Sequence, residues 1–82
     1  MRKFFRLFNR KKRRALEKEY ERLDVEYRFL SDLDYMVIKL IDSTKDLELT
    51  KQLVEMDKKL THKEHILVAE MRMIQKELRD LD

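Results

Sequence analysis

LEKEYERLDVEYRFLSDLDYMVIKLI, residues 16–41, decides the fold. Its apolar side chains do not alternate as they would in a half-buried strand. Leu16, Tyr20, Leu23, Tyr27, Leu30, Asp34, Val37 and Ile41 follow one another in steps of four and three, and only Asp34 is polar. That spacing draws a continuous apolar seam along an α-helix over about four heptads. It predicts a helix over about residues 11–42, running on from the segment before it.

The next residues break the pattern. Asp42, Ser43 and Thr44 are poor in a helix interior and good at its ends. Ser43 and Asp46 stand at capping-box spacing, with Asp in place of the usual Glu. Asp46 and Glu48 suit the positive end of a new helix dipole. A turn is therefore expected at about 43–45, and a second helix over about 46–80. The apolar residues there give a seam of Leu49, Leu53, Met56, Leu60, Glu64, Leu67, Met71, Ile74, Leu78 and Leu81. Its two successive steps of four, from Met56 through Leu60 to Glu64, predict a stutter that locally unwinds any supercoil.

Two long helices joined by a short loop pack as an antiparallel hairpin. A turn centred at 44–45 sets Leu30 opposite Leu60, Leu23 opposite Leu67 and Leu16 opposite Ile74. It also sets Asp34 near Met56, and the end of the chain near Phe8. Composition agrees with an all-α fold of coiled-coil character. The 82 residues are 45% charged and contain no Gly, Pro or Cys. Sheet folds use Gly and Pro at their turns, and the lack of Cys rules out disulfides.

A second stripe runs beside the seam: Phe29, Leu33, Met36 and Leu40 on the first helix, Ile66, Ala69 and Met73 on the second. A hairpin cannot bury two stripes by itself. The expected remedy is a homodimer forming a four-helix bundle, or helices of a different partner.

Charge divides the chain into an arm, residues 1–14, and a body, residues 15–82. The arm holds Arg2, Lys3, Arg6, Arg10, Lys11, Lys12, Arg13 and Arg14 and no acid; the body holds twelve basic and seventeen acidic residues. On a helix, Met1, Phe4, Phe5 and Phe8 share one side with Leu7 at its edge, and Arg2, Lys3, Arg6 and Arg10 lie opposite. Aromatic residues on one face and cations on the other is the pattern of a helix lying in a membrane interface. The following KKRR tract adds attraction to anionic lipid. The arm is thus expected to bind an anionic membrane surface reversibly, in a cytoplasmic protein peripheral at the inner face of the membrane. Two alternatives share the same cations. One is a basic-armed dimer that binds nucleic acid through its phosphates. The other is a helical inhibitor or adaptor that docks on an acidic protein. The longest nearly apolar run, residues 35–41, is far too short to span a bilayer.

No enzyme chemistry, small-molecule substrate or cofactor is expected. Phosphate loops require Gly, and no Cys nucleophile exists. His62 and His65 are three apart with Lys63 and Glu64 between them, which matches neither HExxH nor the Glu-x-x-His pattern of di-iron bundles. Metal binding is not expected. Asp34 reads as a register or polar-contact residue in the seam.

Overall fold

Nothing in either heptad run forbids helix, so each continues until a capping residue stops it. The computed structural model describes residues 2–81, with side chains from Arg6 to Leu81. Helix α1 spans Arg2–Ser43 and takes in the basic segment without a break. Helix α2 spans Leu47–Leu81. The two pack against each other as a hairpin 67 Å long and 14 Å by 13 Å across at the Cα level.

The loop is three residues, and the cap falls later than the sequence suggests. Ser43 belongs to α1, where its hydroxyl donates to the Leu40 carbonyl at 3.2 Å. The Thr44 amide donates to the same carbonyl at 2.9 Å and closes the helix. Asp46 is the N-cap of α2: its Oδ1 accepts from the Glu48 amide at 3.0 Å and the Leu49 amide at 3.3 Å. The Asp46 amide donates to the Thr44 hydroxyl at 3.3 Å. Side chains thus satisfy the orphan backbone groups, and no described residue adopts positive φ. The turn therefore needs no Gly. Asp46→Ala is expected to cost about 1 kcal/mol, seen as a fall of roughly 4–8 °C in Tm by circular dichroism.

The core is a single seam. Leu23, Val37, Leu53, Leu67 and Ile74 are buried. Leu23, Leu67 and Ile74 form one cluster, against which Leu16, Tyr20, Tyr27, Leu30, Met71 and Leu78 pack. Every seam position expected on α1 is buried or half-buried.

On α2 the loop-proximal seam differs from expectation. Leu49 and Met56 are exposed, whereas Thr50 and Asp57 are half-buried. The seam therefore runs Thr50, Leu53, Asp57, Leu60, Glu64, Leu67, in unbroken steps of three and four. The stutter disappears. It arose from choosing the apolar residue at each turn, and two seam positions are polar. Thr50 satisfies its hydroxyl within its own helix, donating to the Asp46 carbonyl at 2.8 Å.

At the open end of the hairpin, Gln75 Nε2 donates to the Tyr20 hydroxyl at 3.1 Å. The turn-centred pairing sets Tyr20 opposite Ala69, which is exposed. The offset is one of side-chain direction. Helical side chains lean toward the N-terminus, so Tyr20 reaches away from the loop and Gln75 toward it. Counted from the loop at the common helical rise, Leu81 falls about level with Asn9, so the end of α2 approaches Phe8.

Candidate functional site: a basic helical segment and an uncovered face

The first turns of α1 extend past the end of α2, and this sets their environment. Arg6, Leu7, Phe8, Arg10, Lys11, Lys12 and Arg14 are exposed, while Asn9 and Arg13 are half-buried. Phe8 is 57% exposed and Leu7 56% exposed. Both are large apolar groups that α2 leaves uncovered. The side chains of Arg2, Lys3, Phe4 and Phe5 lie outside the described residues, although the backbone from Arg2 is helical.

Phe8 is three heptads ahead of Phe29, so the two lie on the same side of the hairpin. On that side, Phe29 is 62% exposed and Met36 60% exposed; Leu40 is also exposed and Leu33 half-buried. From α2, Ile66 shares a groove with Glu26, Leu30, Lys63 and Leu67. A neighbouring open groove is lined by Met56, Lys59, Leu60 and Lys63. The apolar stripe thus joins across both helices in the half nearest the loop. Met56 belongs to it, which accounts for an apolar residue beside the seam and not in it. Ala69 and Met73 are exposed farther toward the open end, where charges replace the apolar residues.

Those charges interlock. Glu19 accepts from Arg22 at both carboxylate oxygens. The Glu19 contact holds the Arg22 guanidinium above its ordinary range, helped by Glu26 and by Glu70 across the hairpin. The Arg22 hydrogen bond in turn holds Glu19 below the usual carboxylate range. Arg28 pairs with Asp24 at 3.1 Å and Lys58 with Glu55 at 3.6 Å. The Lys39 ammonium sits 4.7 Å from the centre of the Tyr35 ring. All four pairs are local and solvated, so each contributes only tenths of a kcal/mol.

Asp34 meets Asp57 and Glu64, not Met56. A hydrogen bond with Asp57 is the main reason that the Asp34 carboxyl is lifted to about 6; burial comes next, followed by the negative charges of Asp57 and Glu64. Asp34 Oδ1 and Glu64 Oε1 are buried without a hydrogen-bond partner. The seam therefore contains a carboxyl cluster in which the proximity of Asp57 and Glu64 favours the protonated form of Asp34. Sequence inspection singled out Asp34 but missed Asp57. The available signal was the heptad phase of α2, counted back from Leu67 through Leu60.

His62 and His65 are both exposed. Among the described residues, no three His, Cys, Asp or Glu side chains stand where they could hold a metal ion. No described helix is long and apolar enough to cross a membrane.

These features define a class: an all-helical two-helix hairpin with exposed apolar residues along one side among the described residues. No protein family, curated protein or solved structure matches the chain.

Proposed function

We propose that the chain is a small non-enzymatic interaction protein. Its basic extension adsorbs to an anionic membrane surface, and its body presents a helical face to a partner. The observation that carries this reading is the helical spacing of Phe4, Phe5 and Phe8 in the sequence, opposite cations, together with the exposure of Leu7 and Phe8. Polycations alone bind any polyanion. An aromatic face at helical spacing adds nothing to phosphate contacts but has a direct use at a lipid interface. Each Phe contributes roughly 1.5–3 kcal/mol at full burial and less at an interface, and each basic residue about 1 kcal/mol near an anionic leaflet. Together these suffice for reversible adsorption without bond chemistry.

Because α1 is continuous, a basic segment lying flat would bring the long axis of the hairpin down toward the membrane plane.

Flotation with anionic and neutral vesicles at physiological salt tests the reading. The intact chain should float with anionic vesicles, and a Phe4→Ser/Phe5→Ser/Phe8→Ser variant should partition at least ~10-fold less. Equal flotation of both would reduce the extension to a simple polycation and favour nucleic acid or an acidic protein as its target. Flotation of neither would overturn the membrane reading.

A further inference from the structure

We infer that a second copy of this chain covers the apolar face, lying loop beside loop, so that both basic extensions emerge at the same end of a four-helix bundle. The inference takes from the proposed function only that the body has a docking face. The membrane reading can fail without affecting it.

Area gives the first argument. The chain exposes 7382 Å². A compact protein of 10.2 kDa would expose about 5,300 Å². The excess, about 2,000 Å², is more than the roughly 800 Å² that each partner gives up in a standard interface. The exposed surface includes a contiguous apolar stripe: Phe29, Leu33, Met36 and Leu40 on α1, joined by Met56 and Ile66 on α2.

The distribution of charge selects the occupant. An anionic membrane is a poor cover for this face, because Glu19, Glu26 and Glu70 stand between the apolar half and the basic extension. A second copy suits it, because the face is complementary to itself in one orientation. A two-fold axis along the hairpin sets α1 of one copy over α2 of the other at the same level. Apolar half then covers apolar half. Arg22, already attracted by Glu70 of its own chain, gains a second Glu70. Glu26, which shares a groove with Lys63, gains a second Lys63. The charges close into alternating rings at the edge of an apolar patch. The opposite orientation, with full overlap, would lay Phe29 and Met36 over the charged half and leave buried ions without added partners.

The arrangement leaves the extension free. In this orientation α1 faces the partner's α2, and α2 ends about level with Asn9. Phe8 therefore stands at the edge of the covered face, and the turns of α1 before it project beyond the partner's α2. Two extensions at one end would double the cationic footprint offered to a single surface.

The chain has no Cys, so Lys45→Cys in the exposed loop gives one labelling site per copy. The experiment is run without lipid. Light scattering should give twice 10.2 kDa, and spin labels on the two loops should lie within about 30 Å, the width of adjacent helices plus linkers. A Phe29→Glu/Met36→Glu variant should dimerise about 100-fold more weakly. Val25→Glu, at a position 68% exposed, should dimerise like the parent chain. A monomer mass at every concentration overturns the inference. So do loop labels separated by something near the 67 Å hairpin length, or undiminished dimerisation of the double variant. Because the label distance is read on an intact core, it decides the question even if the double variant unfolds.

Discussion

Leu23→Ala is expected to remove about 2–5 kcal/mol of stability and to lower the Tm by more than about 10 °C. Leu23 is only 2% exposed and forms the centre of the cluster with Leu67 and Ile74. A hairpin has no third layer to collapse into the space its side chain would leave, except through the second copy inferred above. A domain of this size has roughly 4–12 kcal/mol in total, so one such cavity takes a large share. Thermal denaturation followed by far-ultraviolet circular dichroism at fixed protein concentration would measure it. Val25→Ala, at an exposed position on the same helix, provides the comparison and should change stability by less than about 0.5 kcal/mol. If Leu23→Ala melted with the parent chain, the seam would not be what holds the helices together.

Asp34→Leu is expected to stabilise the hairpin at neutral pH, and by less as the pH falls. The Asp34 carboxyl titrates near 6 in the folded chain, above its ordinary value of 3.8. Between those values the folded state binds more proton than the unfolded state, so stability falls as pH rises through this window and levels off above it. The groups facing Asp34 are Asp57 and Glu64, both on α2, and both oppose its ionisation. Leu in its place removes a repulsion and an unsatisfied buried oxygen together. Because Asp34 is only half-buried, solvent screening limits the gain at pH 7.5 to about 1–2 kcal/mol, or roughly 5–15 °C in Tm. At pH 4.5 the Tm difference should shrink to less than half. A constant difference across the range would mean that Asp34 does not titrate in this window. A loss of stability at neutral pH would mean that its carboxylate is satisfied by a group other than these.

A cluster that destabilises the seam at neutral pH has a use consistent with its position. Polar residues at seam positions fix register, because any slip would set a carboxyl against Leu or Val. Here Asp34 on one helix faces Asp57 and Glu64, one heptad apart on the other. The polar positions thus match one another, at a cost in stability.

The seam of α1 was legible because all but one of its positions are apolar, and helical period is a property of one strand of sequence. The turn was legible to within a residue or two because caps and helix-interior residues differ in chemistry. Asp46 still had to be distinguished from Ser43 by which backbone amides it reached. The seam of α2 was not read correctly near the loop. Leu49 and Met56 stand one position before Thr50 and Asp57, and apolarity favoured them. Their apolar character belongs to the uncovered face, and a single helix carries no label saying which of two adjacent stripes its neighbour will take.

The amphipathic division of the first fourteen residues follows from residue order and the 100° turn of a helix alone. Whether its exposed face stays free depends on how far α2 extends alongside it, and that depends on the register. Sequence by itself determined that there are two helices, where they end and which residues are too apolar for water. Tertiary structure decided which apolar stripe became the seam, that Asp34 faces Asp57 and Glu64 across it, and that the turn is capped by Asp46 and not Ser43. The reason is one of range. Helical period and capping act over three or four neighbouring residues, whereas register is set by the best joint packing of side chains tens of residues apart, and each side chain's lean along its helix moves its contact away from the residue opposite.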